Sequence, residues 1–232
     1  MKKVLGIAFL LCMFSGAVFA QKKTDVLITF PVSFGVYNGS FGSSTNSAYK
    51  GNMNYNSVGI GLDVGVKSNR FLFSWENRAL FGVSVKLDYG LGPTDLTKLF
   101  KDAGVKPFGF CYSGNLLFGA VFTPIENLNI NLQSGIGGSF YNYGNSISIG
   151  SDGFLTTLAF HLGVPFKVGM EYFFVANKVG ISASIVDRVG VNIQRFVDII
   201  GLDKEAVKAV NKDLTSGFGN EVTFNIGIVI KH

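Results

Sequence analysis

The 232-residue chain contains little charge and little cysteine, and no apolar run after its first 20 residues is long enough for a membrane-spanning helix. Charged residues make up 15% of it, and the basic ones are scattered, which argues against a nucleic-acid partner. Cys111 is the only cysteine after residue 20, so no intramolecular disulfide can form. The two histidines, His161 and His232, lack the ligand spacing of a metal site. We expect no cofactor and no metal.

The first 20 residues have the pattern of an export signal. Lys2 and Lys3 precede an apolar stretch that ends at Phe14, and a small residue, Ala20, offers a cleavage site. This stretch is shorter than the roughly 20 apolar residues that a membrane-spanning helix needs. We therefore expect residues 1–20 to be a signal peptide and 21–232 to form a single exported domain.

An apolar exported chain without a spanning helix has few structural options. In lipid every backbone donor and acceptor must find a partner within the protein, which leaves helices or closed barrels. Apolar side chains alternate with small polar ones over eight segments, and a period of two is typical of strands. The segments are Val26–Val36, Val58–Val66, Ala79–Tyr89, Phe108–Phe122, Leu128–Phe140, Phe154–Met170, Val179–Ile185 and Val222–Ile230.

The alternation alone does not decide which face of the barrel is inside. A soluble, lipocalin-like barrel would turn its apolar face inward and cover its outer face with Lys, Glu, Asp and Arg. In this chain the polar face is mainly Gly, Ser, Asn and Thr, which suit a narrow lumen. The composition favours an apolar face toward lipid and a polar interior.

The predicted connections alternate between short and long, as outer-membrane barrels require. The short ones are Lys67–Arg78, Thr123–Asn127 and Phe173–Lys178; the long ones are Tyr37–Asn54, Gly90–Pro107, Tyr141–Gly153 and Val186–Gly219. Aromatic residues crowd the short connections and predict a girdle at the periplasmic headgroup level. These residues are Phe71, Phe73, Trp75, Phe122, Tyr172, Phe173 and Phe174.

Two of the long loops carry helical signals. In loop 2, Thr94 can cap a helix that ends at Gly104. In loop 4, the spacing of apolar residues predicts one helix over Asn192–Ile200 and a second one capped by Asp203. We therefore predict an all-β fold, an eight-stranded antiparallel up-and-down transmembrane β-barrel with short helices in extracellular loops 2 and 4.

The charged residues of the polar face are the candidate functional site. They are predicted to form a lumen charge network: Asp63, Lys86, Asp88, His161, Lys167, Glu171 and Glu221. Opposite charges in a narrow, partly dry lumen should pair. The network could be a plug that stiffens a closed barrel, or the selectivity constriction of a small channel. His161 is interpreted as an interior residue rather than a catalytic base, so we expect no enzymatic activity.

The pattern resembles the small outer-membrane barrels of the OmpA, OmpX and OmpW type. The last strand, Glu221–His232, is similar to the C-terminal signal that such barrels present to the barrel-assembly machinery, although it ends in Lys231-His232 instead of an aromatic residue. The resemblance implies location in the bacterial outer membrane, contact with its lipid and extracellular loops that could bind a ligand. Two functions stay open: a surface-exposed, adhesin-like structural or interaction protein with a mostly plugged lumen, or an OmpW-like narrow channel for small or hydrophobic solutes.

Overall fold

A computed structural model describes residues 24–45, 50–88, 93–95, 98, 108–144, 156–175, 178–198 and 203–232. The expected signal peptide lies outside these residues. Eight long strands form the barrel. They are β1 (Thr24–Ser43), β2 (Lys50–Ser68), β3 (Phe71–Asp88), β4 (Phe108–Ile125), β5 (Leu128–Gly144), β6 (Thr156–Val175), β7 (Val179–Asp198) and β8 (Leu214–Lys231). A three-residue strand, Pro93–Asp95, adds to the edge of β3.

The sheet closes on itself. Each strand pairs antiparallel with its neighbours in the chain, and β1 also pairs with β8, from Leu27↔Lys231 to Ser43↔Leu214. Residues 69–70, 126–127 and 176–178 connect strands at one end, which also holds the end of β8 and which we call the turn end. Asn69 takes a positive φ of 58° in its turn, a conformation that asparagine tolerates well. The longer connections lie at the opposite, loop end.

The two faces of the strands differ as the alternation predicts. Outward side chains are large, apolar and exposed; examples are Val32, Ile60, Ile136, Leu162 and Ile226, each at least 60% exposed. Inward side chains are buried and mostly polar in the middle of the barrel. The strands have 17 to 20 residues, more than the roughly 9–11 that a tilted strand needs to cross a bilayer.

The loop-end half of β3 departs from the predicted parity. The register with β2 shifts between Asn56↔Ser84 and Ser57↔Gly82, so a β-bulge inserts one residue into β3. A one-residue shift exchanges the two faces of a strand. Val85 and Leu87 therefore lie buried in the lumen, whereas Lys86 is exposed. The prediction that Lys86 faces the lumen is wrong for this reason.

Loop 4 is shorter than expected because β7 continues to Asp198. The helix predicted over 192–200 is therefore wrong for the described residues up to 198, which form a strand. One helix, α1 (Lys204–Asp213), follows, and the Asp203 carboxylate accepts a hydrogen bond from the Ala206 N–H at its N-cap. In loop 2, Thr94 lies in the short strand, and most of the expected helix lies outside the described residues. Of the helices described, none has the length and apolar character to span a membrane.

Pro31 and Pro165 each lie within a strand. The β1–β2 pairing passes from Thr29↔Asp63 to Val32↔Ile60, so the pairs around Pro31 are skipped but the register is kept. The β5–β6 pairing skips the pairs around Pro165 in the same way. Each proline lacks an N–H donor for the ladder, yet the strand continues past it without a bulge.

Candidate functional site: the filled lumen

Apolar side chains close the lumen at the turn end. This turn-end cluster consists of Leu27, Leu72, Val121, Phe173 and Val229, each at most 3% exposed. The Lys231 ammonium lies 4.9 Å from the centre of the Phe173 ring, within the range of a cation–π interaction.

Above this cluster, four charged side chains from three strands form two buried ion pairs. The Arg78 guanidinium binds both carboxylate oxygens of Asp63, with Nη2 2.9 Å from Oδ2. The Lys167 ammonium lies 2.6 Å from Oε1 of Glu76, which is 3.8 Å from Arg78 Nη2. Asn225 accepts a hydrogen bond from Arg78 Nε at 3.0 Å. Buried charges need such partners, since an uncompensated one is costly.

A third ion pair lies toward the loop end. The Arg188 guanidinium contacts the Glu221 carboxylate, and both groups are at least 96% buried. Ser113, Ser139 and Tyr141 donate hydrogen bonds to Glu221, those from Ser113 and Ser139 at 3.2 and 2.6 Å. The carboxylate is thus bound from three further strands besides its own, β4, β5 and β7.

Asn115 joins the third ion pair to the first two and so completes one network. Its Nδ2 donates to Glu76 Oε2 at 3.2 Å, and its Oδ1 accepts from Arg188 Nη1 at 2.8 Å. The members of this lumen network are Asp63, Glu76, Arg78, Asn115, Lys167, Arg188 and Glu221. Its three cations face three carboxylates, so the charges balance.

A smaller polar group lies between the lumen network and the turn end. Lys67 Nζ donates to Asn129 Oδ1 at 2.9 Å, and Asn129 Nδ2 donates to Glu171 Oε2 at 3.1 Å. Asn129 therefore places one cation and one carboxylate in a single hydrogen-bonded chain.

Aromatic side chains fill the lumen beyond the network. Tyr37 and Tyr141 stack with their ring centres 4.3 Å apart, and Tyr55 meets Tyr141 edge-on at 5.1 Å. They belong to the loop-end cluster, whose buried members are Tyr37, Phe41, Met53, Tyr55, Leu80, Val85, Leu87, Cys111, Tyr141, Tyr143, Ala159, Phe196 and Val207. Val207 is on α1, so the helix packs against the loop-end cluster.

Glycines make room for these large inward side chains. Gly137, Gly163, Gly190, Gly219 and Gly39 pair in sequence across five neighbouring strands. A methyl group on Gly219 would lie 3.1 Å from the ring of His161 and 3.3 Å from that of Tyr37. The row of glycines therefore allows a narrow barrel to hold arginine, histidine and tyrosine side chains in its lumen.

The structure brings together most of the residues predicted for the lumen. Asp63, Lys167 and Glu221 belong to the lumen network, and Glu171 lies in the smaller polar group. His161 is fully buried, with Nδ1 3.9 Å from Glu221 Oε2. Lys86 lies on the outer face, as described above. Asp88 has the same parity as Lys86 and is half-buried at the end of β3, away from the network.

Sequence reasoning missed three charged members of the network: Glu76, Arg78 and Arg188. The first two lie in the predicted short connection Lys67–Arg78 and the third in the predicted long loop Val186–Gly219. The alternation continues through the first two: the buried Leu72, Ser74 and Glu76 alternate with the exposed Phe71, Phe73 and Trp75. Arg78 is buried and has the same parity. That continued period of two was the signal that could have found them.

The predicted girdle residues lie at the turn end. Six of them are at least 40% exposed on the outer face: Phe71, Phe73, Trp75, Phe122, Tyr172 and Phe174. Phe173 is 2% exposed and belongs to the turn-end cluster. Its assignment to the girdle is wrong, because β6 continues to Val175 and directs this odd-numbered side chain inward.

The outer wall has a pit of about 520 Å³ near the middle of the barrel. Trp75, Leu116, Ile136 and Leu162 form its walls, and its floor reaches Asn115 of the lumen network. Gly114, an outward residue, lines the pit and leaves this part of the wall without a side chain.

The lumen offers charge pairing and aromatic packing, and within the described residues no group of three or more His, Cys, Asp or Glu side chains could hold a metal ion. Fold and interior together define the chain as an eight-stranded β-barrel of the outer-membrane type. Residues 19–231 match the family described as domain of unknown function DUF2715, and the chain belongs to that family.

Solved structures share the fold at low sequence identity. The outer membrane protein OprG from Pseudomonas aeruginosa is 10% identical, with a TM-score of 0.60 over 91% of this chain and 97% of that one. AlkL, an outer membrane protein solved in lipid bilayers, is 10% identical, with a TM-score of 0.51 over 91% of each chain. A search of curated protein sequences found no significant match.

Proposed function

We propose that this chain is an integral protein of the bacterial outer membrane that acts at the cell surface through its loops, on a barrel with a closed lumen. The observation that carries the proposal is the filling of the lumen by three layers of buried side chains: the turn-end cluster, the lumen network and the loop-end cluster. An interior packed in this way suits a stable anchor better than a pore. An eight-stranded barrel is in any case little wider than its own side chains.

The exposed apolar face and the asymmetry of the connections support the location. Large apolar side chains cover the outer wall, as in a barrel surrounded by lipid. The connections at the turn end are two or three residues long, whereas those at the loop end include 89–107 and 145–155. In outer-membrane barrels the short turns face the periplasm and the longer loops face the outside.

Planar-bilayer conductance of the refolded chain tests the closed lumen. We expect no single-channel steps under conditions in which a known porin conducts. Reproducible steps that change on Arg188→Gln, a substitution in the lumen, but not on Lys86→Gln, on the outer face, would refute the proposal. Lys86 is the matched control because it also loses one cationic side chain, but outside the lumen.

A second candidate is a narrow channel for small or hydrophobic solutes, and the pit in the outer wall favours it. The walls of the pit are apolar, and the pit lies beside the strand pairs that are skipped at Pro165. Gly114→Leu should fill it, because a methyl group on Gly114 would have only ordinary contacts, the nearest at 3.7 Å. The channel hypothesis predicts slower uptake of a hydrophobic solute by cells that carry this variant, and the closed-barrel proposal predicts no change.

A further inference from the structure

Several polar side chains lie buried in the loop-end half of the lumen without a complete set of partners. Both ring nitrogens of His161 and both polar atoms of the Gln194 amide lack a hydrogen-bond partner among the described residues. The same holds for Thr157 Oγ1 and Tyr37 Oη. Asn192 Oδ1 is in the same condition. We call these five residues the polar throat. Each side chain is at most 1% exposed.

The strand register places these residues together. Asn192 pairs with His161, and Gln194 pairs with Ala159, so β6 and β7 form one wall of the throat. Thr157 pairs with Phe196, one layer nearer to α1. Below them Arg188 and Glu221 neutralise each other and form the floor.

A barrel that is permanently closed here would be more stable with apolar residues, because buried polar atoms without partners cost free energy. In native proteins such groups are rare, and each one needs an explanation. Water or a solute that enters the throat would supply the partners. A state in which the throat is open therefore explains its polar composition.

Helix α1 is attached to the barrel in a way that permits such opening. Its apolar contact with the interior is made by Val207, with Val210 partly buried beside it. The Asn211 side chain bonds the backbone of Phe196 twice, at 2.7 and 2.6 Å. The Asp213 carboxylate, at the end of α1 where β8 begins, accepts hydrogen bonds from residues 43–45 at the end of the neighbouring strand β1. The contacts of Val207 and Asn211 can break while the strand pairing remains intact.

We propose that α1 is a lid over a blind vestibule, the polar throat, which binds water and small uncharged solutes with hydrogen-bonding groups when the lid lifts. Uncharged solutes fit because the throat contains both donors and acceptors, and the charges at its floor are already paired. The orientation of the loop end toward the outside rests on the proposed function. The Arg188–Glu221 ion pair below the throat remains intact, so lid opening creates a pocket and not a pore.

Cys111 provides a reporter for this opening. It is fully buried in the loop-end cluster and is the only cysteine in residues 21–232. The experiment measures the labelling rate of Cys111 by N-ethylmaleimide, which is small and uncharged, in refolded protein that comprises residues 21–232. A maleimide on a long polyethylene glycol chain serves as the second reagent, because it requires unfolding rather than lid opening.

Asn211→Ala and Asp213→Ala each loosen the lid. We expect labelling by N-ethylmaleimide to accelerate about tenfold or more, as the loss of two hydrogen bonds in Asn211→Ala and three in Asp213→Ala implies, with no acceleration for the polymeric reagent. Glu205→Ala is the matched control, since that side chain lies on the exposed face of α1 and should leave the rate unchanged. Heat-modifiable migration on a gel verifies that each variant is folded.

Equal rates for both lid variants and the wild type would overturn the proposal, and so would acceleration of both reagents together. Labelling of the wild type only at its independently measured rate of global unfolding would overturn it as well. Failure of the proposed function would be seen in a different measurement. The wild type would then show single-channel steps in the planar bilayer, while the labelling rates of Cys111 would stay as expected here.

Discussion

At the scale of single residues, the barrel interior depends on charges that are buried in pairs. In the Arg188–Glu221 pair, the Glu221 carboxylate accepts hydrogen bonds from Ser113, Ser139 and Tyr141, which substitute for hydration by water. A pair of this kind adds little net stability compared with apolar residues, but the removal of one partner leaves a buried charge without compensation. Substitutions of one partner and of both partners should therefore differ sharply.

Arg188→Met should lower the free energy of unfolding by about 3–5 kcal/mol, because Glu221 then remains buried without its cation. The double variant Arg188→Met/Glu221→Met should recover much of this loss. Urea unfolding of the refolded protein in lipid vesicles measures both. Lys86→Met is the control and should stay within about 0.5 kcal/mol of the wild type. A double variant no more stable than the single one would contradict the assignment of the pair.

Phe173 and Phe174 are neighbours that point to opposite sides of β6. Phe173→Ala should lower the free energy of unfolding by about 3 kcal/mol or more, since it leaves a cavity in the turn-end cluster. Phe174→Ala affects a side chain that is 57% exposed on the outer face and should cost much less. Urea unfolding of the two variants side by side checks the prediction, and equal costs would mean that the inward direction of Phe173 is wrong.

At the scale of elements, the period of two predicted the eight strands and the direction of most of their side chains. It failed in β3, where a single bulged residue reverses the faces beyond Gly82, and no local sequence signal marks that bulge. It also failed in β7, because the spacing of Ile193, Phe196 and Val197 fits a helical face as well as a strand. Pairing with β6 and β8 decides between the two, and such long-range pairing is not visible in a local pattern.

The candidate site was predictable only in part for a related reason. Asp63, Lys167 and Glu221 lie in segments with clear alternation, so their inward direction followed from parity. Glu76, Arg78 and Arg188 lie in the predicted connections, outside the segments in which the alternation predicts strands. Which cation pairs with which carboxylate depends on the register of strands that are distant in sequence, and parity carries no information about it.

The contact between α1 and the first loop should depend on pH. Hydrogen bonds from Ser43, Ser44 and Thr45 stabilise the charged form of Asp213 and hold the pKa of this exposed carboxyl well below its usual range. The contact is thus fully present above the unfolded pKa of about 3.9 and is lost as the pH falls through the lower, folded value. Hydrogen exchange of the Thr45 amide should accelerate over that acidic range relative to a peptide reference. Asp213→Ala should remove this dependence, and a pH-dependence that survives in the variant would exclude Asp213 as its source.

At the scale of the whole molecule, the two faces of one sheet are adapted to two different surroundings. The outer wall is apolar and exposed, whereas the inner wall binds balanced charges and aromatic rings. A soluble barrel with the same alternation would have these faces reversed. The direction of the faces is therefore the central claim, and the conductance, lid and stability predictions all depend on it.

Trp75, the only tryptophan in the chain, tests this direction most directly. It is 50% exposed on the outer wall, at the edge of the pit. In vesicles of lipids with brominated acyl chains, its fluorescence should be strongly quenched, and aqueous acrylamide should quench it little. Strong quenching by acrylamide, with none by the brominated lipid, would contradict a barrel that turns its apolar face to the membrane.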